Sequence, residues 1–202
     1  MQIYSTPLAK GYWQTALEDF RKVRTLTFSA LMIAACVALS HLPSIPVSDG
    51  IFVTWGFLAR AVCGMVGGPV NALVFGFAED TISFFLKPSG PYFPGYCLTT
   101  MLGTMIYALF LYRTKITVLR VFLAKLCTNV LNVVLGSLWS AILYKKGYLY
   151  QMARSAVKNT VMLPVQTIML VFLLMALIPV LTQAGLIPKE MGGRLRLRKG
   201  KN

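Results

Sequence analysis

The chain has 202 residues, 56% of them hydrophobic, and 20 basic against 6 acidic side chains give a formal net charge of +14. A mean hydropathy of +0.67 and an apolar share above the roughly 45–50% of soluble domains exclude an ordinary soluble enzyme and point to one membrane-embedded domain. The positive charge alone would suit a nucleic-acid binder, but the cations fall in loops and tails between apolar runs, as membrane topology demands, so the lipid bilayer and not nucleic acid is the expected partner.

Residues 1–24 carry Lys10, Arg21, Lys22 and Arg24 before any long apolar run, without a cleavage site. Within them, Tyr12, Trp13, Leu17 and Phe20 on roughly helical spacing predict a short amphipathic helix over 7–22 lying on the membrane surface, or else a free tail. Residues 25–182 are expected to form six transmembrane helices. The uncharged run Leu26–Leu42 predicts the first, over 25–41. The stretch "SIPVSDG" then predicts a loop by turn chemistry. A second helix is expected over Phe52–Val66, a tight turn at Gly67-Gly68-Pro69, and a third helix to Leu86.

The proline- and glycine-rich "KPSGPYFPG" predicts an outer loop, followed by a fourth helix over 96–112 and, after a short "RTK" link, a fifth over 116–144. "KKGYLYQMAR" predicts a loop, and the 21 uncharged residues Val161–Leu181 place the sixth helix over 156–181. Residues 183–202 form a basic tail. In lipid, with no water to pair the backbone, these spans must be helical, so the expected class is an all-α integral membrane protein. Six crossings put both ends of the chain on one side. That side holds thirteen basic residues and the other five, with Arg60 and Lys125 inside helices, which predicts both termini in the cytoplasm.

Cys36, Cys63, Cys97 and Cys127 lie in or beside apolar runs without metal-ligand spacing and are expected to be packing residues. The single histidine, His41, supports neither a triad nor a multi-His metal site. No phosphate loop, HExxH or GxSxG motif is present, so no catalytic residue, metal or cofactor is expected.

Five features carry potential chemistry. Glu79-Asp80 near the outer end of the third helix supplies either a hydrogen-bond acceptor for a substrate, with Asp80 the candidate, or a solvated helix end; adjacent residues point about 100° apart, so one carboxylate at most faces a cavity. On the fifth helix Lys125, Asn129, Asn132, Gly136 and Trp139 share one face, expected to line a cavity chiefly through Asn132 and Trp139, with Lys125 snorkelling to the cytoplasmic surface; interhelical hydrogen bonding is the alternative. Tyr92, Phe93 and Tyr96 on a Pro/Gly scaffold suit stacking on a flat ring, or an interfacial aromatic belt. Lys145, Lys146, Arg154 and Lys158 form a cationic mouth for an anionic ligand or incidental solvated charge, with Asn159 following. Ala30, Ala34 and Ala38 form a small-residue stripe that suits close packing, within the chain or against another subunit.

The stretch "GGPVNALVFGFAEDTISFFLKPSGPYFPGYCLTTMLGTMIYALFLYR", with its Gly-Pro turn, small-residue helix and acidic end, resembles the substrate-binding S-components of energy-coupling factor (ECF) vitamin transporters. The "KPSGPYFPGY" loop and the helix ending in Tyr112-Arg113 resemble the folate-specific branch. The resemblance spans roughly residues 25–182. It implies the six-helix S-component fold in the cell membrane and capture of folate or a related vitamin on the outer face. Its partners would be a membrane coupling subunit (EcfT-like) and two ATPases (EcfA-like), which would hydrolyse the ATP. Ala30, Ala34 and Ala38 match the family's AxxxA docking motif. For folate, the pterin would stack on Tyr92, Phe93, Tyr96 or Trp139, with Trp55 near the same outer cavity. Asp80 would accept from its N–H groups, Asn132 and Asn159 would read its acceptors, and Arg154 and Lys158 would meet the glutamate tail. Riboflavin, thiamine or a queuine-like base remain rival cargoes, and a non-transport scaffold or a lipid-modifying membrane enzyme rival classes.

Overall fold

The computed structural model describes residues 3–4, 9, 11–42, 45–48, 51–53, 55–86, 92–145 and 147–192. In chain order these form α1 (Tyr12–Phe20), α2 (Val23–His41), the antiparallel strands β1 (Ile45–Ser48) and β2 (Ile51–Val53), α3 (Gly56–Leu86), α4 (Pro94–Leu111), α5 (Val118–Tyr144), α6 (Tyr148–Gln183) and a 3-10 turn at Lys189–Gly192. Five of the described helices, α2 to α6, are long and apolar enough to cross a membrane.

The second of these counts for two crossings, because α3 is a hairpin. At Gly68 the backbone takes φ 76° and ψ 179°, a region open in practice only to glycine, and Pro69 withholds the amide that would continue the helix. A straight helix would put residues 60 and 79 about 28 Å apart. Instead Arg60 Nε lies 3.0 Å from Glu79 Oε2, so the arms before and after Gly68 run back along each other. The expected turn at 67–69 is therefore present. The first arm begins at Gly56, because Phe52 belongs to β2.

Thr25, Ser29 and Cys36 form the buried side of α2. Asn71 Nδ2 donates to Ser29 Oγ at 2.8 Å and lies 3.6 Å from Cys63 Sγ, which ties α2 to both arms of α3. Ala30, Ala34 and Ala38 lie on the other side of α2 and are exposed. Among the described residues no element of the chain buries this stripe. The four cysteines are free; three are buried and Cys127 half-buried.

One end of the bundle gathers the described terminal segments and two turns. The Tyr112 ring lies beneath Gly68, where an added Cβ would sit 3.0 Å from it. Tyr12 packs edge-on against Tyr112 at 5.5 Å, Tyr4 N donates to Arg113 O at 2.8 Å, and Ile116 N donates to Met191 O at 3.2 Å. At the centre, Asp19 of α1 accepts from Tyr112 Oη at 2.6 Å, Arg113 Nη2 at 2.7 Å and Lys22 Nζ at 2.7 Å. Burial works to raise the Asp19 carboxyl, but these donors outweigh it and hold the group below its ordinary range. The amphipathic helix thus differs from the expected surface helix over 7–22. It is shorter, and its Tyr12, Ala16 and Asp19 face is buried in protein while Trp13 and Leu17 stay exposed.

At the opposite end, α6 starts directly after Gly147, so most of the loop expected at "KKGYLYQMAR" is helix. Tyr148, Leu149, Tyr150, Gln151 and Met152 are all tolerated in a helix. At 36 residues α6 is about 54 Å long, well beyond a hydrocarbon core of about 30 Å, so its first turns rise past the apolar layer.

Candidate functional site

The end away from the Asp19 cluster is built from aromatic side chains and hydroxyls. Pro94 opens α4, where its missing N–H costs nothing, and the extended backbone at Phe93 turns that ring across the helix end. Phe93 lies 5.6 Å from Trp139 of α5 and 6.1 Å from Tyr96. The close fit requires Gly95, since an added Cβ there would meet both the Phe93 and Trp139 rings inside 3 Å. Trp139 Nε1 donates to Thr99 Oγ1 at 2.9 Å, and Tyr96 Oη lies 3.1 Å from Ser140 Oγ. Tyr92 is exposed and stands edge-on to Phe84 at 5.0 Å. Phe93, Tyr96 and Trp139 are thus brought together across α4 and α5. The residues of that loop from 87 to 91 lie outside the described residues, as does Lys146.

The two neighbouring carboxylates of α3 separate as their spacing requires. Glu79 is buried and takes two bonds from Arg60, at 3.0 and 3.1 Å, plus one from Ser83 Oγ at 3.3 Å. Asp80 is half-buried and accepts one bond, from Thr100 Oγ1 of α4 at 3.0 Å, which leaves it acceptor capacity.

The interior face of α5 behaves unevenly. Lys125 and Asn129 are buried, at 4% and 5% exposure, so Lys125 does not snorkel to the surface. Asn132 shares that face, yet it is exposed, and an added Cβ at Gly136 would meet nothing within 4 Å. The outward face of α5 is the opposite one, where Leu123, Val130, Val134 and Leu138 are exposed. Exposure on the inward side therefore marks an opening inside the bundle. It is bounded along α5 by Asn129 below and Trp139 above, about 15 Å apart. Asn129 Nδ2 donates to the Asn159 carbonyl of α6 at 3.1 Å, which closes the wall between the two helices.

The remaining candidates are more dispersed. Asn132 Nδ2 donates to the Thr128 carbonyl of its own helix at 2.9 Å, and Asn159 Nδ2 donates to the Ser155 carbonyl at 2.9 Å. Trp55 precedes α3 and accepts from Leu58 N at 3.0 Å through its carbonyl. On the projecting start of α6, Arg154 is exposed and Lys158 half-buried, with exposed Lys145 across the α5–α6 connection. Among the described residues no group of three His, Cys, Asp or Glu side chains is placed to hold a metal ion. The sequence reading missed Arg60–Glu79. The available signal was two opposite charges in apolar arms on either side of Gly67-Gly68-Pro69.

The arrangement offers stacking surfaces and hydrogen-bond acceptors beside the opening, with cations on the projecting start of α6. No family profile matches the chain. It is 31% identical over 151 residues to "Folate transporter FolT" of Clostridium novyi (strain NT), spanning 74% of this chain and 87% of that one. Its fold superposes on a crystal structure described as "FolT bound with folic acid" with a TM-score of 0.64 and 27% identity, over 72% of this chain and 88% of the other.

Proposed function

Because this chain belongs to the FolT family of folate transporters, we propose that it captures folate at the aromatic end of its bundle and hands it to an energy-coupling factor module for import. It is a folate-binding S-component and an integral membrane protein. The observation that carries the proposal is likeness to a folate-bound fold over most of the chain, joined to an opening on the inward face of α5.

The site chemistry suits the ligand. Phe93, Tyr96 and Trp139 offer faces and edges to folate's aromatic rings. Asp80, with spare acceptor capacity, takes N–H groups of the ligand; Asn132 and Asn159 border the opening. Lys145, Arg154 and Lys158 favour an anionic molecule at the mouth. The basic count supports an orientation with the Asp19 end in the cytoplasm and the aromatic end outside. On that orientation the exposed Ala30, Ala34 and Ala38 stripe of α2 receives the membrane coupling subunit. ATP hydrolysis belongs to the partner ATPases.

Folate titration of the detergent-purified chain, followed by tryptophan fluorescence, tests this directly, since Trp139 borders the opening and Trp55 precedes α3. Saturable quenching in the nanomolar range without any partner is expected. A flat response to folate, with quenching by riboflavin or thiamine, would overturn the cargo and keep the architecture.

A further inference from the structure

Lys125 is the buried cation that the reading above leaves unused. Its Nζ stands 4.3 Å from the centroid of the Phe57 ring. Among the described residues no carboxylate pairs with it, because Glu79, the buried acid of the bundle interior, is held by Arg60. An aromatic face compensates an ammonium only partly. An uncompensated charge at membrane depth is expensive and marks a functional site by default.

Its position relates it to the opening. Lys125 lies seven residues, about 10 Å, below Asn132 on the same face of α5. Its stem is four flexible carbons and its head carries three donors and no acceptor. Asn129, the polar residue between, has its amide engaged by the Asn159 carbonyl. Lys125, one helical turn beneath Asn129, is the cationic donor under that floor, with no carboxylate partner among the described residues.

We infer that Lys125 receives the pterin end of folate, donating to its ring carbonyl and nitrogen acceptors, while the glutamate tail stays at the mouth. The inference rests on the folate reading. Charge fixes the direction. Folate carries a neutral ring at one end and two carboxylates at the other. Sending the dianionic tail inward would leave one carboxylate buried against a single ammonium without a second partner. The mouth, by contrast, has Lys145 and Arg154 exposed and Lys158 half-buried. A neutral, acceptor-rich ring at the floor satisfies Lys125 and buries no second charge.

The test compares folate with pteroate, which keeps the ring and benzoate but lacks the glutamate. Their affinities are measured on the purified full chain and on Lys125→Met and Lys125→Gln. Both variants should lose affinity for the two ligands by the same factor, tenfold or more for methionine and less for glutamine. The ligand-free variants should melt higher than wild type, because an unpaired charge has been removed, while the ligand-induced rise in Tm shrinks. Loss for folate alone would place Lys125 at the tail and overturn the assignment. Unchanged affinity for both would also overturn it, as would a lower ligand-free Tm in both variants, which makes the residue structural. Wild-type chain that binds neither ligand would instead sink the folate reading, and this inference with it.

Discussion

Replacing Glu79 with leucine removes the acceptor of both Arg60 bonds, at 3.0 and 3.1 Å, and of the 3.3 Å bond from Ser83. Removing one partner of a buried ion pair costs about 3–5 kcal/mol, mostly from the charge left behind. Here the Glu79 side chain is 3% exposed but that of Arg60 is 34% exposed, so the abandoned guanidinium recovers part of its solvation. The expected cost is therefore about 2–3 kcal/mol. Taking Arg60 to methionine as well leaves no unpaired charge, and the double variant should return to within about 1 kcal/mol of wild type. Reversible unfolding of the four proteins in mixed micelles gives the coupling energy as a double-variant cycle. Simple additivity of the two single losses would refute the argument. It would mean that the arms of α3 are closed by Gly68 and apolar packing alone.

Three other substitutions address separate features. Gly68→Ala should lower stability by about 1–3 kcal/mol in the same unfolding assay, since the new Cβ faces the Tyr112 ring at 3.0 Å and φ is 76°. Asp19→Asn should loosen α1 by about 1–2 kcal/mol at neutral pH, read by hydrogen exchange of its amides. Because the folded-state carboxyl titrates below the unfolded one, its contribution is complete above the ordinary carboxylate range and disappears as pH falls through the folded value, so wild type and variant should converge in acid. Ala34→Trp, on the exposed side of α2, should leave folate binding by the isolated chain unchanged and abolish folate uptake by cells, measured with radiolabelled folate.

The spans were legible because bilayer thickness sets a minimum apolar run, and the runs at 26–42, 96–112 and 161–181 meet it with little ambiguity. The hairpin in α3 was legible because Gly68-Pro69 is a local signal. The face of α5 followed from helical periodicity alone. What did not show was everything set by distance in sequence. Asp19 meets Arg113 across 94 positions, and Arg60 meets Glu79 across 19; neither pairing has a local signature. Lys125 was misplaced for the same reason. Its depth depends on Phe57, 68 positions earlier, and not on its own neighbours. The start of α6 was missed because charge near a helix end looks the same in a loop and in a helix that outruns the membrane.

The two ends of the bundle are fastened by forces of different strength. Around Asp19, three donors converge on one carboxylate, and backbone bonds from Tyr4 and Ile116 reach across the chain. At the other end, closure rests on ring contacts among Phe93, Tyr96 and Trp139 and two hydroxyl bonds, each worth roughly 1 kcal/mol. Thermal fluctuation therefore parts the ring end more readily than the Asp19 end. The residence time of a ligand held behind those rings would then follow how often they swing apart. Leaving through the opposite end would have to break the buried Asp19 cluster, a costlier step.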